Sequence, residues 1–384
     1  MKKLIFLSTF CFVFNTLFAF QEQKLDAIPF KQFVNSELSK LYNPETDFGG
    51  ATIGIVLPNG DAHAFAIGNS NVAKKTPMKP KDRMLGGSTG KVFLSAALMQ
   101  LVEKNKIQLD DKISKYLGKN TWYTKIQNHE SITIRNLMQH ASGISRFVYN
   151  EQFQIDVNKD ADRKWKPVEL LSYVFDEKPL FKAGSDFAYS DTNYIILAMV
   201  LEEVTKTTMY KYIEKNILKP FKLKDVTPQV NRKIKGLIDG YNKKDDPLFP
   251  GDVMENGKYK YNLQFEWAGG GFVITSIDLA RAGKLIYEGK VFDKKLLPEF
   301  FNGINAKQLG GTWGLGVHIR KSSTGTSYGH SGFFPGYLTN MLYFPENKFS
   351  LAFQVNTSNP ENISIYRKMF KLIPILKKYI SQVE

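Results

Sequence analysis

From Val92 to Val102 the chain reads VFLSAALMQLV, apolar enough for a helix buried in a core rather than laid on a surface. The residues leading into it are Ser88-Thr89-Gly90-Lys91. Residues three apart share one helical face, so Lys91 lies within reach of the Ser88 oxygen. A serine that opens a helix also turns its backbone N–H toward any developing negative charge. A serine hydroxyl needs an adjacent proton acceptor to attack at neutral pH. A lysine in a dry pocket can lose its proton near pH 7 and serve as one. The stretch therefore reads as nucleophile plus base. The plain alternative is that Ser88 is an N-cap.

The N-terminus has the layout of an export leader: Met1-Lys2-Lys3, an apolar run from Leu4 to Phe18, then Ala19. Residues 1–20 are expected to leave as a signal peptide, because the run is short for a spanning helix. Cys11 is the sole cysteine and lies inside that leader, so the mature chain has no disulfide and no thiol nucleophile. A periplasmic or secreted protein is expected. The formal charge of +15 becomes +13 without Lys2 and Lys3. It is scattered rather than gathered into a nucleic-acid patch, and suits solubility or association with an anionic envelope surface. His63, His129 and His318 show no metal-ligand spacing, and neither a metal nor a cofactor is expected. Oligomeric state is not legible.

Periodicity divides the chain into strands at both ends and helices between them. A helix is expected at 25–42. Strands follow at Ala51–Leu57 and Ala62–Ile67 around the Pro58-Asn59-Gly60-Asp61 turn. Helices are expected from Ser88, at Thr192–Val204 and at Met209–Leu218. Strands return at Trp313–Arg320, Gly336–Phe344 and Phe349–Val355, with a helix at Ile363–Ile380. This predicts an α/β fold: one antiparallel sheet built from both chain ends with flanking helices, plus an all-helical region. The expected division is a single catalytic domain over 21–384, its sheet part about 21–80 and 305–384 and its helical part about 81–304.

Two further clusters follow Ser88 in order: Tyr189-Ser190-Asp191 and His330-Ser331-Gly332. Ile134–Ile144 (IRNLMQHASGI), Tyr189–Leu197 (YSDTNYIIL), Ala268–Gly271 with Thr275-Ser276 and Asp278–Arg281, and Trp313–Gly316 complete a pattern over roughly residues 45 to 356. It resembles the serine β-lactamase and penicillin-binding-protein superfamily, in the branch of class C β-lactamases, D-Ala-D-Ala carboxypeptidases and family VIII esterases. The resemblance implies a β-lactamase/transpeptidase-like fold and an acyl-enzyme on Ser88.

In that reading Lys91 is the base, or polarises it. Tyr189 shuttles the proton, provided that Lys91 and His330 as cations lower its pKa. The amides of Ser88 and Phe333 form the oxyanion hole. Ser331 and Gly332 line the substrate strand, and Phe333 narrows a pocket where relatives often have glycine. Two departures stand out. Asp191 replaces the commoner asparagine, and either holds Lys91 charged or caps the helix beginning at Thr192. His330 replaces the lysine of typical β-lactamases, so a carboxylate should bind weakly at pH 7 and more tightly as the ring protonates. The expected substrate is a peptidoglycan-type D-Ala-D-Ala peptide or a small ester, with weak β-lactam turnover. The rival from another class is a catalytically silent cell-wall-binding or penicillin-sensing protein.

Overall fold

The computed structural model describes residues 29–246 and 249–383. The expected leader at 1–20 and the first residues of the helix expected at 25–42 lie outside them.

Nine antiparallel strands form the main sheet, in the spatial order Thr76–Pro77, Ala62–Asn71, Gly50–Val56, Phe349–Val355, Tyr337–Phe344, Gly325–Phe334, His318–Ser322, Thr312–Trp313 and Ile304–Asn305. The chain ends meet at its centre, where Ala51 pairs with Val355 and Val56 with Ser350. All seven residues of Gly50–Val56 are buried, because both faces of the sheet are covered. On one face Phe33, Val34 and Leu38 of the Phe30–Leu41 helix join Ile365, Met369 and Leu376 of the two C-terminal helices over Ile53 and Phe353. On the other lies the Ser276–Tyr287 helix, seated so closely that a methyl on Gly54 would lie 2.5 Å from Ile277 Cα. Only glycine fits that crossing.

The middle of the chain is mainly helical and adds a short sheet of Met84–Leu85, Phe272–Ile274 and Val226–Pro228. At its centre are the Lys91–Glu103 and Asp191–Thr205 helices, whose buried apolar residues share one core with the sheet. Several expected elements change in detail. The helix expected from Ser88 starts at Lys91, and Gly87–Gly90 form a tight 3₁₀ turn before it. The Trp313–Arg320 strand is a hairpin, folded at Gly316 with φ +85°. The helix at 363–380 is two, Ser364–Met369 and Leu372–Val383. In each case a local backbone turn sets the element's end, at Gly87–Gly90, at Gly316 and after Met369.

Candidate active site

The Gly87–Gly90 turn is wedged between two backbones. On one side it abuts the end of the Gly325–Phe334 strand: a methyl on Gly87, at φ +51°, would lie 2.7 Å from Phe333 O and 3.0 Å from Phe333 N. On the other, a methyl on Gly90 would collide with Gly270 O. This packing sets Ser88 at the junction of sheet and helical region, with Gly332 and Phe333 alongside. The cap position of the helix that follows is Gly90, not Ser88.

Lys91 is fully buried, and three acceptors surround its ammonium. Nζ donates to Ser88 Oγ at 3.1 Å, to Asp191 Oδ1 at 2.6 Å and to Gly269 O. A lysine has three N–H bonds to give, and all are given. Burial works against the charge, but Asp191 and Tyr189 outweigh it and raise the Lys91 pKa above its ordinary value. Of the two expectations for Lys91, a neutral base or an ammonium held by Asp191, the ion pair favours the second.

Asp191 is the first residue of the Asp191–Thr205 helix rather than the cap before it. The cap position is Ser190, and both Asp191 oxygens accept from side-chain cations. Oδ1 takes Lys91, while Oδ2 takes Arg146 Nε at 3.1 Å and Nη2 at 2.6 Å. Burial alone would raise its carboxyl pKa; Lys91 and Arg146 together hold it well below the usual range. Of the two roles expected for Asp191, the geometry keeps the ion pair and removes the cap.

Tyr189 lies under the same cations, with Lys91 Nζ 5.2 Å and Arg146 Cζ 5.3 Å from its ring centre. Its phenol oxygen is buried beside the Lys91 ammonium and the Ser88 hydroxyl, without a hydrogen bond of good geometry to either. Burial raises the phenol pKa and Lys91 lowers it, with burial prevailing. The expected downward shift does not occur, in part because His330 is no cation. That ring is buried, and burial together with the Lys91 charge pushes its pKa down to about 3. Its Nδ1–H donates to Ser331 O at 2.6 Å, which leaves Nε2 as an unprotonated acceptor with no protein partner. A ring held neutral in this way argues against the expected tightening of carboxylate binding in mild acid.

His140 serves as a fastener. Its Nδ1 accepts from Ser190 N and Asn193 Nδ2, both at 3.1 Å, and its ring lies 4.1 Å from that of Tyr189. Trp313 closes the cluster, 5.4 Å from Tyr189 and 5.1 Å from His330 between ring centres. Ser331 is exposed, and Phe333 is 59% exposed at the cavity mouth.

The sequence reading missed two residues. Arg146 directly follows the HASGIS segment, which was its only signal. Glu266 stands two residues before the Ala268–Gly271 segment and lines the cavity beside Ser88 and Gly269. Burial raises its carboxyl pKa to about 8, against the pull of Lys91. Between them in sequence, Trp267 takes φ +36° and ψ −109°, a strained conformation for a non-glycine. This kink immediately precedes the segment that turns Gly269 O to Lys91. The cavity, about 340 Å³, is walled chiefly by aromatic rings, among them Phe147, Phe153, Phe249, Phe265 and Phe334.

A family model described as beta-lactamase matches residues 33–372. The chain belongs to the β-lactamase family. PbpX of Bacillus subtilis (strain 168), which carries a penicillin-binding-protein name, is 25% identical over 272 residues, 70% of this chain and 59% of that protein. The chain therefore spans less than two thirds of that relative. Among solved structures, a D-stereospecific amidohydrolase from Streptomyces sp. superposes with a TM-score of 0.73 at 24% identity, covering 84% of this chain and 94% of the other. The D-amino acid amidase of Ochrobactrum anthropi SV3, in complex with L-phenylalanine amide, gives 0.74 at 19% identity, covering 90% and 95%. At such identities these two establish the shared β-lactamase-type fold. The family is one of serine hydrolases, and Ser88, Lys91 and Tyr189 meet where sheet and helices join.

Proposed function

We propose that this protein is an exported hydrolase that cleaves an amide or ester through an acyl-enzyme on Ser88, and that its substrates are amides of D-amino acids, the class that includes D-Ala-D-Ala peptides. The observation that carries the acyl-enzyme reading is the set of three hydrogen bonds at Lys91 Nζ, one of them to Ser88 Oγ. The D-amino acid reading draws on the two amidases of the same fold.

A saturated ammonium cannot take the Ser88 proton. Its role is to orient the hydroxyl and to stabilise negative charge as it develops. Tyr189 then works as a shuttle. As Ser88 Oγ bonds to the carbonyl carbon, its proton passes to the phenol oxygen, and the phenol proton passes to the departing nitrogen or oxygen. The phenol is never a free phenolate, which suits a group whose burial disfavours that anion. His330 Nε2 accepts a hydrogen bond from the leaving group or from Tyr189. The Ser88 and Phe333 amides hold the oxyanion. Lys91, Arg146 and Asp191 together carry one net positive charge, which favours that intermediate. The same centre, run with water in place of the leaving group, releases the acid. A neutral His330 gives no cation for a β-lactam carboxylate, so slow β-lactam turnover follows.

The test is labelling with a serine-directed phosphonate, followed by tryptic mass spectrometry. Label is expected on Ser88. Label on any other serine, or none on a folded sample, would sink the nucleophile assignment.

A further inference from the structure

Neither Tyr189 nor His330 lines the cavity, although Ser88 does. A leaving group must collect its proton on the Tyr189 side, so the half of the substrate that stays on Ser88 fills the aromatic cavity. Six phenylalanines line that cavity, and aromatic faces carry negative potential. Glu266 stands in the same wall. Gln229 Nε2 donates to its Oε2, Oε1 takes no hydrogen bond from the protein, and no cation pairs with it among the described residues. The two nearby cations are committed elsewhere: Lys91 and Arg146 share Asp191. The carboxyl is also held against the nucleophile turn. A methyl on Gly270 would lie 2.8 Å from Oε1 and would collide with Gly87 O, next to Ser88. A mainly aromatic chamber, which Arg146, Asp191 and Asp246 also line, with the Glu266 carboxyl beside the acylated serine and no cation on it among the described residues, matches an ammonium group on an apolar body.

We propose that Glu266 is the specificity residue of this site, and that it receives a free ammonium group carried by the acyl half of the substrate. This rests on the reading of Ser88 as the acylated residue. The preferred substrates are then unblocked amino-acyl amides or peptides with a bulky apolar first side chain, in preference to their N-acylated forms. Burial keeps the Glu266 carboxyl mostly protonated at pH 7 in the free protein; the incoming ammonium takes the place of that proton, which passes to solvent, and the phenyl-lined cavity takes the side chain.

The experiment separates binding from turnover. Ser88→Ala protein is titrated calorimetrically at pH 7 with D-phenylalanine amide, L-phenylalanine amide and 3-phenylpropionamide, which lacks the amine. At least one enantiomer of the amino amide is expected to bind about 10- to 100-fold more tightly than 3-phenylpropionamide. In Ser88→Ala/Glu266→Gln that preference should vanish while 3-phenylpropionamide binds as before, which also shows that the cavity is intact. The glutamine substitution keeps the size of the side chain and an acceptor for Gln229. A preference that survives Glu266→Gln, equal affinity for the amines and the neutral amide, or no binding of any of them would overturn the proposal. None of these outcomes depends on hydrolysis, so a failure of the Ser88 reading shows separately, as absent phosphonate label.

Discussion

Asp191 sits between two cations, and removing its charge tests the electrostatic argument directly. In Asp191→Asn the carbonyl can still accept one hydrogen bond, from Lys91 or Arg146, but the amide NH₂ then meets the other cation as a second donor. Removing one partner of a buried pair leaves a buried charge without compensation, which costs about 3–5 kcal/mol. At about 2 °C per kcal/mol for a chain of this size, the melting temperature should fall by about 6–10 °C near pH 7. The pH dependence gives a sharper signature. In the native protein Asp191 lies below its ordinary pKa, so its contribution is present above about pH 4 and fades as the pH falls further. Lys91 lies above its ordinary pKa, so its contribution is lost only as the pH rises past the usual lysine range. In the variant Lys91 has no carboxylate, burial lowers its pKa, and rising pH relieves the misfit. The gap in melting temperature between the two proteins should therefore be widest from about pH 5 to 8 and close toward both ends. Differential scanning calorimetry from pH 3 to 10 measures it. A gap under about 2 °C at every pH would refute the argument and return Asp191 to the role of a helix-end residue that asparagine replaces freely.

Tyr189→Phe should lower kcat/KM for an anilide about 10²- to 10⁴-fold, and that for an activated ester much less, because a good leaving group needs no proton from the phenol. Matched ester and anilide kinetics decide it, and equal losses would remove the shuttle. For His330, whose ring stays neutral down to about pH 3, the affinity of Ser88→Ala for a penicillin should not rise between pH 7 and pH 5. A several-fold rise over that interval, by calorimetry, would show a protonating ring.

Some features were legible because they are local in the chain. Ser88 and Lys91 are three residues apart, and across the Gly87–Gly90 turn Lys91 Nζ lies 3.1 Å from Ser88 Oγ. Alternation and turn residues placed the central strands: Ala51–Leu57 was expected where Gly50–Val56 is found, and Phe349–Val355 coincides. Helix ends were less legible, because the turns at Gly87–Gly90 and after Met369 are fixed by backbone packing rather than by a change in residue pattern.

Charge states were legible only as alternatives, as when Asp191 was read either as a counter-ion to Lys91 or as a cap. Whether Lys91 is base or ammonium depends on Asp191, a hundred positions away, and on Gly269 O, which reaches Nζ only through the kink at Trp267. Residue type makes His330 look like a switch near pH 6.5, but its burial under Trp313 and beside Lys91 removes that switch. Arg146 and Glu266 belong to no spacing pattern. They matter because the folded sheet and helices bring separate loops against one cavity. Sequence alone thus determined which groups could react and in what order along the chain they lie. The tertiary structure decided which are charged, which are paired and what fits beside them, because desolvation and Coulomb energies depend on distances that only packing sets.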